Sequence, residues 1–112
     1  MYARIARFEG GTASAIEEET QKIHGDLKAA QRGETGGYMP ELSSLVSRVE
    51  VLADLQEGRA AVIVYCDTEE QLREADRVLA AMSPQNPDWG HRVSSDTYEV
   101  IADESAQLRS AA

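Results

Sequence analysis

An indole and an imidazole stand two residues apart at Trp89 and His91, in the segment Gln-Asn-Pro-Asp-Trp-Gly-His that runs from Gln85 to His91. An aromatic wall beside an imidazole, which ordinarily titrates near ~6.5, can orient and deprotonate an acidic phenol or enol, which makes His91 the candidate general base. The same pair also suits a loop that only closes one end of a fold, with the tryptophan packed and the histidine in water. Arg4 and Arg7 lie in an alternating stretch, Tyr2 to Phe8, and so point to opposite faces of a strand. Whichever arginine turns inward needs an anion: Glu50, Asp96 or Glu99 from a neighbouring strand, or a bound carboxylate.

Other candidates are single residues. Tyr2, Tyr65 and Tyr98 fall on strand patterns, where rings fill a core or an interface and one hydroxyl can still donate into a pocket. Cys66 directly precedes a helix pattern, where the helix dipole can lower its pKa; a lone cysteine at a strand end is also simply a small buried hydrophobe. His24 sits at the border of a helix's buried face, a position that water or backbone can satisfy.

These residues must be positioned by six alternating elements. A first strand spans Tyr2 to Phe8, and a long helix follows whose stripe is Ile16, Thr20, Ile23, Leu27 and Ala30. Ser14 with Glu17 has capping-box spacing, Thr12 competes as N-cap, and the Glu17-Glu18-Glu19 run lies toward the positive end of the helix dipole. Gly25 lies on the far side of that helix with no role that the pattern supplies. Gly33, Gly36, Gly37 and Pro40 mark a breaker-rich loop that could move. Leu45 to Leu55 alternates as a second strand, Glu57-Gly58-Arg59 turns the chain, and Ala60 to Cys66 is apolar on both faces, as in a strand covered from both sides. Asp67 and Glu70 open a second helix with the stripe Leu72, Ala75, Leu79 and Met82, which Ser83-Pro84 ends. A last strand from about Arg92 to Ala102 carries Val93, Tyr98, Val100 and Ile101.

The order strand, helix, strand, strand, helix, strand is the ferredoxin-like βαββαβ arrangement of an α+β protein with one antiparallel sheet. We read residues 1–103 as one domain and 104–112 as a flexible tail. Because two helices cover only one sheet face, the two-sided apolar third strand requires a second cover, and an isologous homodimer is the economical one.

Composition excludes several classes. Twenty acidic against eleven basic residues give a net charge of −9, which repels a phosphate backbone, so nucleic acid is not an expected partner. No run has the length of a membrane span or a signal peptide, and a single cysteine forms no internal disulfide, which together lead us to expect a cytoplasmic protein without a membrane partner. There is no phosphate-binding glycine loop, no His-Glu-x-x-His and no G-x-S-x-G, and two separated histidines beside Cys66 do not make a metal set. No cofactor and no metal are expected.

Met1 to Gly10, Asp67-Thr68-Glu69-Glu70-Gln71-Leu72 and Thr97-Tyr98-Glu99-Val100 together resemble the dimeric α/β-barrel superfamily, in particular its small antibiotic-biosynthesis-monooxygenase-like members. The resemblance runs over nearly the whole chain and implies a dimeric α/β barrel. It implies first a small cofactor-independent monooxygenase-like enzyme acting on an aromatic or polyketide-like molecule, with a small aromatic ligand as its expected partner; the alternative is a non-catalytic homodimeric module of the same fold that binds a small ligand or simply assembles. In the enzyme the protein would stabilise a substrate carbanion that itself reacts with dioxygen, His91 acting as base and Arg4 with a tyrosine as anion stabilisers. The pocket would be bounded by one sheet face, the first helix and the Trp89 loop, with Arg4, Tyr65, Trp89 and Tyr98 as its candidate lining. Haem-degrading relatives resemble one another in an asparagine on the first strand and a histidine on the second helix. Here Arg4 or Ala6 stands in the first context and no histidine occurs from Thr68 to Met82, so haem degradation is not implied.

Overall fold

The computed structural model describes residues 1–33, 40–82 and 87–104. Its elements are β1 (Tyr2–Glu9), α1 (Ala13–Gln31), a short α2 (Pro40–Ser43), β2 (Arg48–Asp54), β3 (Arg59–Cys66), α3 (Glu69–Ala80), a 3₁₀ turn (Pro87–Trp89) and β4 (His91–Glu99). The four strands form one antiparallel sheet in the order β2-β3-β1-β4. The central pair therefore comes from the two βαβ halves, an α+β arrangement compatible with a ferredoxin-like fold. The potentially mobile loop falls largely on residues 34–39, the helix stop at Ser83-Pro84 on 83–86 and nearly all of the tail on 105–112, all outside the described residues.

Alternation along the central strands decides which side chains meet the helices. Val64, Cys66, Leu72, Ala75, Val78 and Leu42 form one buried cluster under α3, and Ile16, Ala60 and Trp89 form a second under the start of α1. Val62 borders both clusters, so the two long helices share one face of the sheet. On the other face the register brings together Ala3, Ile5 and Arg7 of β1, Ala61, Ile63 and Tyr65 of β3, Glu50 and Leu52 of β2, and Ser94, Asp96 and Tyr98 of β4. None of these residues belongs to either core cluster. Leu52 and Tyr98 are 53% and 48% exposed there.

Helix starts differ from the sequence reading by small steps. Thr12 caps α1, its Oγ1 accepting from the Ala15 N–H at 3.3 Å, so Ser14 is inside the helix and not its cap. Thr68 caps α3 in a complete capping box with Gln71, one residue beyond the Asp67 and Glu70 expected. Both candidate spacings satisfy the box rule, and extended backbone at Thr68 selects the later one. Along α1 only Ala15 and Ile16 are buried; Ile23 and Leu27 are half-buried and Ala30 is exposed, so the stripe loosens toward its C-terminal end. Nothing lies within contact of a side chain built at Gly25.

The last strand stops at Glu99, not near Ala102. Tyr2 pairs with Glu99, and the Val100 N–H donates to the Met1 carbonyl at 2.9 Å, the last ladder bond between the two strands. Ile101 is consequently exposed. A register shift between Arg7 and Phe8 places Arg92 opposite Phe8, where its guanidinium donates to the Leu79 and Ala80 carbonyls at the end of α3.

Three distant segments meet at the end of the sheet where β1 leaves for α1. The Gly11 N–H donates to the Gly58 carbonyl at 3.0 Å and the Thr12 N–H to the Asp88 carbonyl at 2.8 Å. The approach is so close that a Cβ on Gly11 would lie 2.3 Å from the Trp89 carbonyl oxygen, and one on Gly58 would lie 2.1 Å from that of Gly11. Glycine is needed at both for room, and Gly58 also has φ +67°.

Candidate functional site

Arg4 is the inward arginine. Its side chain is 4% exposed on the helix face of β1, between Val64 of β3 and Thr97 of β4 in the register. Arg4 Nε donates to Asp76 Oδ1 of α3 at 2.8 Å. The anion thus comes from the overlying helix and from none of the strand carboxylates Glu50, Asp96 or Glu99. Asp76 adjoins Ala75 on the inner stripe of α3, four residues after Leu72, and that helical spacing is the signal that would have found it. Arg4 Nη2, by contrast, is buried with no hydrogen-bond partner among the described residues. A guanidinium carries its charge throughout, and an unmet buried donor costs about 1–3 kcal/mol or more when charged.

The other candidates do not gather round Arg4. Trp89 is 4% exposed and lies in the core, its ring edge-on to Phe8 with centroids 5.8 Å apart and packed with Ile16 and Ala60. His91 is exposed at the start of β4, opposite Glu9, with its ring close over Gly10. Glu9 is five residues along β1 from Arg4, about 17 Å at the rise of an extended chain. Tyr98 pairs with Ala3 and so lies on the opposite sheet face from Arg4.

Tyr65 is on that opposite face too, and it is occupied. Its hydroxyl is hydrogen-bonded to the Glu50 carboxylate, which with burial and the Glu50 charge pushes the phenol pKa up. Arg48 lies over the ring, 5.4 Å from its centroid, and reaches Glu50 at 3.4 Å. Arg7 pairs loosely with Asp96 at 3.7 Å, both half exposed. The thiol of Cys66 is fully buried, and desolvation pushes its pKa up, the opposite of activation. His24 is exposed.

The arrangement leaves one enclosed, unmet donor at Arg4 on the helix side of the sheet, and the exposed His91 stands at the far end of β1 from it. Among the described residues no three of His, Cys, Asp and Glu cluster as ligands of a metal ion would. No described helix is long and apolar enough to cross a membrane. No protein-family model matches the chain, and no curated protein matches it in sequence.

Proposed function

We propose that the protein is a non-catalytic homodimeric module of the dimeric α/β-barrel type that holds a small aromatic ligand on the helix side of its sheet. The observation that carries this reading is Arg4, buried and yet left with an unmet Nη2 donor, a conformation that a bound acceptor would complete. The homodimer is supported by the sheet face on which no described helix packs, where Ile5, Ile63, Leu52 and Tyr98 would otherwise meet water. Binding without turnover is favoured because the candidate base His91 is far along the strand from Arg4, and Trp89 is spent on the core.

The cofactor-independent monooxygenase-like reading keeps one specific support. A buried guanidinium is also what would stabilise a substrate enolate before it met dioxygen. An oxygen electrode separates the two: with an aromatic or polyketide-like phenol bound, the module consumes no dioxygen and returns the ligand unchanged. Oxygen uptake that falls roughly 10²-fold in His91→Ala would overturn the module and restore the enzyme.

A further inference from the structure

We infer that the outer edge of β4 is a second self-association surface, which pairs antiparallel with β4 of another copy of the chain and joins two sheets into one. This goes beyond the homodimer proposed above, which uses a face of the sheet and not its edge. β4 is an end strand in the order β2-β3-β1-β4, and no described residue pairs with its outer side. The Val100 N–H donates to the Met1 carbonyl, so by alternation Tyr98, Asp96 and Ser94 turn their backbone groups toward β1, while Glu99, Thr97 and Ser95 turn theirs outward. The side chains of those outward three are exposed, so neither long helix covers this edge. No proline or lysine from Ser94 to Glu99 blocks it.

Register and charge commit the edge to a second copy. A two-fold axis perpendicular to the sheet keeps each face on its own side, so residues that oppose one another must share a face. With the axis at Thr97, Thr97 opposes its own equivalent, Ser95 opposes Glu99 and Asp96 opposes Tyr98. Each carboxylate then faces a hydroxyl, and the outward amides of Ser95, Thr97 and Glu99 all find carbonyls. An axis at Asp96 would set two carboxylates against each other, and an axis at Ser95 would put Val93, at the register shift, into the ladder opposite Thr97. The Thr97 register also brings Val93 to Ile101, two of the exposed large hydrophobics. Ile101 has strand chemistry but lies beyond the ladder to β1, and this pairing gives it a partner. Because only a short edge is covered, the contact belongs with weak ones below about 1,200 Å² and forms toward about 1 mM, not at micromolar concentration.

Amide hydrogen exchange and sedimentation of the full chain at micromolar concentration and near 1 mM, roughly the range set by so small a contact, test the inference. At the higher concentration the mass should double, and the Ser95, Thr97 and Glu99 amides should exchange at least tenfold more slowly, while those of Ser94, Asp96 and Tyr98 stay as they were. Thr97→Pro removes an N–H that makes no bond to β1 and should abolish both changes. Ile101→Asp, at a residue outside the ladder, should weaken them at least tenfold and serves should the proline variant not fold. Outer amides that exchange equally fast at both concentrations, or protection that survives in both variants, overturn the inference. Outer amides already protected at micromolar concentration and released by Ile63→Asp would place this edge within the face-to-face dimer, which overturns the separate surface and leaves that dimer standing.

Discussion

Trp89 and His91 are neighbours in the chain and opposites in the structure. The indole is enclosed by Phe8, Ile16 and Ala60, whereas the imidazole is in water beside Gly10. Trp89→Ala should therefore destabilise the fold by about 3–5 kcal/mol, and His91→Ala by about 0.5 kcal/mol or less, both read from urea unfolding. Similar losses at the two positions would contradict this placement. A second residue-scale prediction concerns Tyr65, whose pKa is raised by its bond to Glu50. Because the folded value lies above the unfolded one, this contribution is fully present below the ordinary tyrosine range near ~10 and is lost as pH rises through the folded value. An ultraviolet titration should show Tyr65 ionising later in the native protein than in Glu50→Gln, and unchanged curves would remove the bond. Alternation in β1 made it legible that one arginine turns inward. That its anion is Asp76 lies beyond strand periodicity, because the helix docks across the sheet; only the helical spacing of Asp76 from Leu72 carried that signal.

At the scale of elements, period carried most of the information. The apolar recurrences at Ile16, Ile23 and Leu27, and at Leu72 and Ala75, marked both long helices, and the two-sided run Ala60 to Cys66 marked a central strand. Boundaries were less legible, since competing caps share a spacing and only backbone geometry chooses between them. That choice is testable: Thr12→Ala and Thr68→Ala should each cost about 1 kcal/mol in chemical unfolding, while Ser14→Ala and Asp67→Ala should cost little. Comparable losses at all four would mean that the caps are shared. The end of β4 shows a different limit. Val100 and Ile101 have strand chemistry, but a strand is as long as its partner, and β1 begins at Tyr2. The short α2 has too few residues to show a period at all.

For the whole molecule, the sheet register separates two adjacent apolar residues that sequence alone could not tell apart. Val62 borders both core clusters on the helix side, while Ile63 pairs with Ile5 and Glu50 on the open face. If the open face is the dimer interface, Ile63→Asp should give a folded monomer by sedimentation and circular dichroism, because the new carboxylate stays in water once the partner leaves. Val62→Asp should instead unfold the chain, at a cost on the order of 3 kcal/mol or more for a charge forced into the core. A wild-type protein that sediments as a monomer at micromolar concentration would sink the dimer, and with it the explanation of the face on which no described helix packs.

The junction at Gly11 and Gly58 carries a consequence for how the molecule opens. Its two hydrogen bonds join the exit of β1, the turn between β2 and β3 and the 3₁₀ turn before β4, segments that come from both halves of the chain. Freeing both the Gly11 and Thr12 amides means pulling the β2–β3 turn and the 3₁₀ turn away from the exit of β1. Their protons should exchange with deuterated solvent only as slowly as those of the central β1 and β3 ladder, while amides in the loosened C-terminal half of α1 exchange by fraying. The end of the sheet at Gly11 would then be a clasp that makes the two halves one cooperative unit, and motion would be confined to the side where α1 ends.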